Sequence, residues 1–265
     1  MNVEQIKAEY IDHMGSDLLV VNAARASFGK ESQWDFDNPR DEYGNPALKP
    51  ADAGLIRFLA SGYRTSEWNE FLNEIIAMVE LGGEKCKDEL AATLKAYKRK
   101  AQHWAPFGHP HCTIRINLPI FLARQFVKHQ VGGVWSEESR RYISDEPGVW
   151  FPEVWHTRPS DIKQGSGTPI AHQDAVTMGA RRAVNTALDV YEQALDLDVA
   201  PEEARIVLPL NMMTTVVWTG SLLFWSRVVN QRVDSHAQLA AQELANKIGS
   251  IMQPLYPLSW KELTA

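Results

Sequence analysis

The stretch from residue 206 to 226 contains no charged side chain, and that is the feature that most restricts how this chain can fold. A run of that length has to leave water, into either a bilayer or a protein core. Pro209, Asn211, Thr214, Thr215, Thr219, Gly220 and Ser221 interrupt it, a density of polar and helix-breaking residues that argues against a membrane span. The run predicts instead a buried strand within residues 207–219, which carry MMTTVVWT, then a turn, then a buried helix from Ser221 to about Arg232. Arg205 and Arg227 bracket the run, so each is expected at the edge of something buried.

The rest of the 265 residues supports an α+β reading. Hydrophobic residues make up 45% and charged residues 23%, enough for a substantial core in a soluble protein. Residues 18–24, LLVVNAA, form an apolar β-favouring run and predict a strand. Residues 31–50 are rich in Asp, Asn, Pro and Gly and predict a loop. Helical patterns follow at 51–59, and at 66–81 and 85–99 around Gly82–Gly83, the last two forming a hairpin. CTIRINL at 112–118 predicts a strand, and Pro119 suits the first position of a helix running to about His129. Gly132 and Gly133 predict a loop over 131–140. Further helices are expected at 171–196, 201–205 and 237–252. With no repeat and no Gly-rich βαβ fingerprint, the expectation is one domain over 1–265. Its mixed or antiparallel sheet is flanked by helices, and a helical insertion occupies about 64–101.

The net charge of −6 argues against general nucleic-acid binding but leaves room for a small anion on a local basic cluster. Cys86 and Cys112 show neither disulfide nor zinc spacing, and the N-terminal residues lack an apolar signal region, so a reducing, cytoplasmic setting is expected. No metal site is expected.

Three groups of residues could carry chemistry. Arg124 and Lys128, near Gln125, His129 and Gln130, are four apart on the expected helix and could grip a phosphate; an amphipathic surface helix would show the same spacing. Ser136, Glu137, Glu138, Ser139, Arg140, Arg141 and Tyr142 put hydroxyl, carboxylate and guanidinium groups within a few residues. Such a set fits either a nucleotide, whose phosphate the Arg fork can grip, or a solvated loop. Arg205, Arg227, Arg232 and His236 form the third group; Arg232 and His236 share a face if the helix continues. A partly buried arginine needs a partner, and either an anionic ligand or Asp234 could supply it. There is no GxSxG, Walker A, HExxH or CxxC motif. Cys112, at a strand start, has only His109 and His111 nearby as bases and is a poor nucleophile candidate.

The segment PIFLARQFVKHQVGGVWSEESRRY resembles the signature region of the flavin-dependent thymidylate synthases, in which Arg-His-Arg is followed after a spacer by Ser and then Arg-Tyr. Three other blocks agree in order and character: NAARASF at 22–28, PFGHPH at 106–111, and ARIVLPLNMMT through RVDSHAQ at 204–238. The resemblance implies an α+β fold, FAD as cofactor and a homotetramer whose sites draw on more than one subunit. It implies transfer of a one-carbon unit from methylenetetrahydrofolate to C5 of dUMP and its reduction to give dTMP, with NADPH recharging the flavin and no enzyme cysteine attacking uracil. By position, Gln125, Lys128, Glu137, Glu138, Ser139, Arg140, Arg141 and Arg205 would contact dUMP, with Ser139 and Arg141 at the phosphate. Arg232 would stabilise negative charge on the uracil ring. Ser27, His109, Lys128, His129, Gln130, Glu137, Ser221 and His236 would contact FAD.

The sequence departs from the family pattern at identifiable points. Arg-His-Arg is Lys128-His129-Gln130, the spacer to Ser139 is one residue longer, and Ser136 stands where Asn is usual. Leu223 occupies a flavin-binding arginine position and Arg227, one helical turn later, an asparagine position, so Arg227 is expected to supply the missing cation. These changes leave two other readings open. One is a C5 hydroxymethylase of dUMP or dCMP, and the other a non-catalytic nucleotide- or flavin-binding relative.

Overall fold

The computed structural model describes residues 1–63, 65–81, 84–98, 103–159 and 165–265; for 65–69, 81, 84–87 and 96–98 only the backbone is described. The elements in chain order are β1 (Asn2–Val3), β2 (Lys7–Met14), α1 (Asp17–Ala26), α2 (Pro50–Ala60), α3 (Thr65–Leu81), α4 (Glu84–Lys98), α5 (Ala105–Gly108), β3 (His111–Pro119) and α6 (Ile120–Phe126). They continue with β4 (Gly133–Glu137), β5 (Gly148–Val149), α7 (Gln173–Asp196), α8 (Pro201–Ala204), a 3-10 turn at Arg205–Val207, β6 (Met213–Ser221), α9 (Leu222–Arg232), α10 (Leu239–Leu255) and α11 (Pro257–Thr264). The chain is therefore α+β, as expected.

The described chain divides into two compact units. The first comprises Met1–Asp12, Thr113–Gly220 and Arg227–Ile251. It is built on a four-stranded sheet of order β2-β3-β6-β4, with a short parallel pair, β1 and β5, beside it in sequence register Asn2 to Gly148. Every second residue of β3 faces inward, so Ile114, Ile116 and Leu118 are fully buried, and β6 contributes Val216 and Trp218 in the same way. Leu122 and Phe126 of α6, and Ala241, Leu244 and Ile248 of α10, complete this core.

The second unit, His13–Cys112, Ser221–Ser226 and Met252–Ala265, is mainly helical. There α1 packs against α2, α5 and α11, and α3 packs against α4 as the expected hairpin. The Gly82–Gly83 turn lies outside the described residues. Asp17 is buried, and its carboxylate accepts backbone N–H bonds from Leu258 and Ser259 at 2.8 and 2.9 Å, which satisfies the start of α11. Burial pushes its carboxyl pKa up, against the pull of these bonds.

Several expectations need correction. Residues 18–24 are not a strand but the middle of α1. Extended Ser16 precedes the helix, Asp17 sits in its first turn, and Val20 and Val21 are buried. A short apolar run suits a buried helix as well as a strand, and here tertiary burial decides. Pro119 is the extended residue before α6 and not its first helical residue, and α6 ends at Phe126. Arg124 and Lys128 are therefore not a pair on one helix, because Lys128 lies past its end. Residues 133–137 form β4 instead of loop, paired antiparallel to β6 with Trp135 opposite Trp218. Since α9 stops at Arg232, Arg232 and His236 do not share a helical face. No described helix is long and apolar enough to cross a membrane.

Candidate functional site

Two packed tryptophans set up the first cluster. Trp135 of β4 and Trp218 of β6 meet edge to face at 4.9 Å, and Trp218 meets Phe126 edge to face at 6.2 Å. Buried Phe126 ends α6, and the turn that follows, closed by His129 N–H to the Phe126 carbonyl at 3.0 Å, brings the His129 imidazole back beside it. Arg232, the last residue of α9, reaches this turn. Its Nε donates to His129 Nε2 at 3.0 Å, its Nη2 donates to the Gln125 carbonyl at 3.0 Å, and its guanidinium lies 5.3 Å from the Phe126 ring centre. Burial pushes the pKa of Arg232 down from the usual arginine value. Burial, and then the Arg232 charge, pushes the pKa of His129 down. The Gln125 side chain donates to Gln238 Oε1 at 2.9 Å, fixing the same segment from the other side.

Strand β4 delivers the second cluster. Both oxygens of the Glu137 carboxylate are engaged: Thr214 Oγ donates to one at 3.0 Å and Trp135 Nε1 to the other at 3.1 Å. Glu138 N–H continues the pairing onto the Thr215 carbonyl, and the chain then turns, with Tyr142 N–H donating to the Ser139 carbonyl. Arg141 Nε donates to Ser139 Oγ at 3.1 Å, and its guanidinium sits 5.1 Å over the exposed Tyr142 ring. Ser139 and Arg141 thus present a hydroxyl and a guanidinium together. Arg140 turns the other way, with its side chain only 11% exposed, and Nη1 donates to the Asp145 carbonyl. It braces the loop.

The remaining predicted residues are placed separately. Arg205 is exposed on the 3-10 turn, with Nε donating to the Glu202 carbonyl. Lys128 and Gln130 are exposed beyond α6. Arg227 is exposed on α9, whereas Leu223, one turn earlier, is buried. Asp234 pairs with His236 at 2.7 Å, and the bonds from His236, first its N–H, hold the Asp234 carboxyl below the usual carboxylate range. Ser27, His109 and Ser221 belong to the second unit. Ser27 Oγ donates to the Ala24 carbonyl, His109 is exposed, and Ser221 Oγ accepts the Phe224 N–H at the start of α9. Cys112 is fully buried and its carbonyl accepts Trp225 Nε1, which leaves no opening for a nucleophile. No group of His, Cys, Asp and Glu suited to a metal occurs among the described residues.

The first unit also holds a cavity of about 1060 Å³, lined by Phe121, Trp150, Phe151, Trp155, His156 and Gln238 among others. Among the described residues that line it there is no lysine or arginine, and Gln238, one of them, accepts the hydrogen bond from the Gln125 side chain. Sequence reasoning missed Trp135, Thr214, Trp218 and Gln238. Nothing in their spacing distinguishes them from ordinary core and helix-start residues.

The sequence profile described as thymidylate synthase complementing protein matches residues 9–258. A flavin-dependent thymidylate synthase of Kosmotoga olearia is 31% identical over 70% of this chain and 81% of its own length. One from Thermosipho africanus is 26% identical over 95% of this chain and 87% of its own length. Among solved structures, the UMP/dUMP methylase PolB from Streptomyces cacaoi, bound with 5-Br dUMP, aligns at a TM-score of 0.72 and 22% identity. That alignment covers 100% of this chain and 97% of that one, and shows a shared fold.

Proposed function

Because the chain belongs to the thymidylate synthase complementing protein family, whose curated relatives are flavin-dependent thymidylate synthases, we propose that it converts dUMP to dTMP with FAD. The one-carbon unit comes from methylenetetrahydrofolate and the reducing equivalents from NADPH. The observation that carries the reading is the Arg232 guanidinium, held by His129 and the Gln125 carbonyl beside the Phe126 ring. A fixed cation in a partly desolvated place is what a uracil ring needs when electron density builds on it during attack from C5. Ser139 and Arg141 supply the phosphate grip, and Arg205 a further cation. Gln125, Lys128, Glu137 and Glu138 complete the nucleotide set, and Arg140 holds their loop in place.

Within the first unit, Lys128, Gln130, Arg227 and His236 are exposed donors chemically suited to a flavin pyrophosphate. The resemblance also assigns Ser27, His109, His129, Glu137 and Ser221 to FAD. When bound, the flavin supplies the hydride that turns the transferred methylene into a methyl group. The chain's own residues bind and orient the nucleotide and stabilise charge on its ring; none of them forms a covalent bond to it. The working assembly is a cytoplasmic homotetramer with sites shared between subunits. Purified protein is expected to be yellow, with flavin absorbance that is retained on desalting or restored by added FAD. A colourless protein that takes up no FAD overturns the proposal.

A further inference from the structure

Arg232 ends α9, where a helix leaves its last residues without the restraint of a following turn. Its guanidinium is nevertheless fixed by three contacts from residues 125–129: Nε to His129 Nε2, Nη2 to the Gln125 carbonyl, and the face of Phe126. Neither hydrogen bond uses Nη1. An N–H can be accepted at His129 Nε2 only if that nitrogen keeps its lone pair, so the imidazole is neutral with its hydrogen on Nδ1. Arg232, from α9, is the charged group that faces the imidazole. Phe126 of α6 lies 6.2 Å away, Lys128 is exposed, and Asp234 and His236 in the following loop bind each other. Protonating His129 would turn its acceptor into a donor aimed at an arginine.

We propose that His129 is a positioning residue for Arg232, a neutral acceptor that aims the guanidinium at the nucleotide ring and releases it on protonation. The proposal rests on the reading of Arg232 as the group that stabilises charge on that ring. It separates the role of His129 from contact with the flavin, because the bond to Arg232 exists within the protein itself.

The test compares the full-length FAD-loaded enzyme with His129→Ala and His129→Gln, measuring kcat and kcat/KM for dUMP against pH, per bound flavin. Gln keeps an acceptor near the place of Nε2 and does not titrate. His129→Ala is expected to lose about a hundredfold in kcat, the scale of a misplaced reacting or stabilising group. His129→Gln is expected to recover most of that loss and to lack the acid-side fall of the parent enzyme. A parental rate in His129→Ala, or equal damage in both variants, overturns the proposal. A second readout does not depend on the product: the ¹⁵N imidazole spectrum of the substrate-free protein, with His129 assigned by its loss in His129→Gln. The Nδ1–H tautomer is expected, with a titration midpoint that rises in Arg232→Ala; the Nε2–H tautomer or an unmoved midpoint overturns the pairing. A parent enzyme that makes no thymidylate defeats the proposed function, and the imidazole spectrum still decides the pairing.

Discussion

A guanidinium can stabilise charge on a substrate ring only if it is already in place when that charge develops. At Arg232 the placement comes from two hydrogen bonds and one aromatic face, all offered by the five residues from Gln125 to His129. Arg232→Ala is expected to lower turnover by roughly two to three orders of magnitude, the scale for losing one charge-stabilising donor. A near-parental kcat in a steady-state assay contradicts the role. The same contact predicts a pH effect on stability. Since the pKa of His129 is lowered in the folded protein, the unfolded chain takes up a proton at this position first as pH falls below about 6.5. Stability therefore declines below that pH and levels off once pH passes the folded value, where both states are protonated. Urea midpoints of the parent between pH 7.5 and 5 should show this decline, and His129→Gln should remove that part of it. An identical decline in both proteins contradicts the assignment.

The decisive element is β4, and it was hidden in the sequence. Gly132 and Gly133 mark a turn, and Gly132 does adopt a positive φ of 90°. What spacing could not show is that the next residues pair with β6, because pairing depends on a partner about eighty residues away, and Trp135 is matched to Trp218 only once the sheet exists. The uncharged run was legible as strand then helix because no charge interrupts its apolar residues, although β6 passes straight into α9 with no turn between them and Ile206, Leu210 and Val217 stay exposed. Residues 18–24 misled for the same reason, since such a pattern does not say which regular structure is buried. The helix after Pro119 was read too long because its amphipathic pattern continues past Phe126, where the chain turns so that His129 can meet Arg232. Trp218, fully buried between Trp135 and Phe126, joins β4 to α6. Trp218→Ala is expected to cost about 3–5 kcal/mol in a denaturant titration. A loss under about 1 kcal/mol, the scale of a surface change, contradicts its place in the core.

At the scale of the molecule, the family was legible because several blocks keep their order even where single residues have drifted, and the profile match over residues 9–258 agrees. Joint geometry was not legible. The residues proposed for the nucleotide, Gln125, Glu137, Ser139, Arg141 and Arg232, come from α6, β4, the loop after it and α9, all within the first unit. Arg140 shows the limit most plainly: its sequence neighbours do not say that its side chain is 11% exposed and donates to the Asp145 carbonyl. The proposed reaction turns on the fate of one carbon atom and one hydride. The direct measurement incubates the FAD-loaded protein with dUMP, NADPH and methylenetetrahydrofolate labelled with ¹³C in the methylene, then identifies the nucleotide product by mass spectrometry. The expected product is ¹³C-methyl dUMP, that is, labelled thymidylate. A labelled 5-hydroxymethyl nucleotide, or dUMP bound but unchanged, would contradict it.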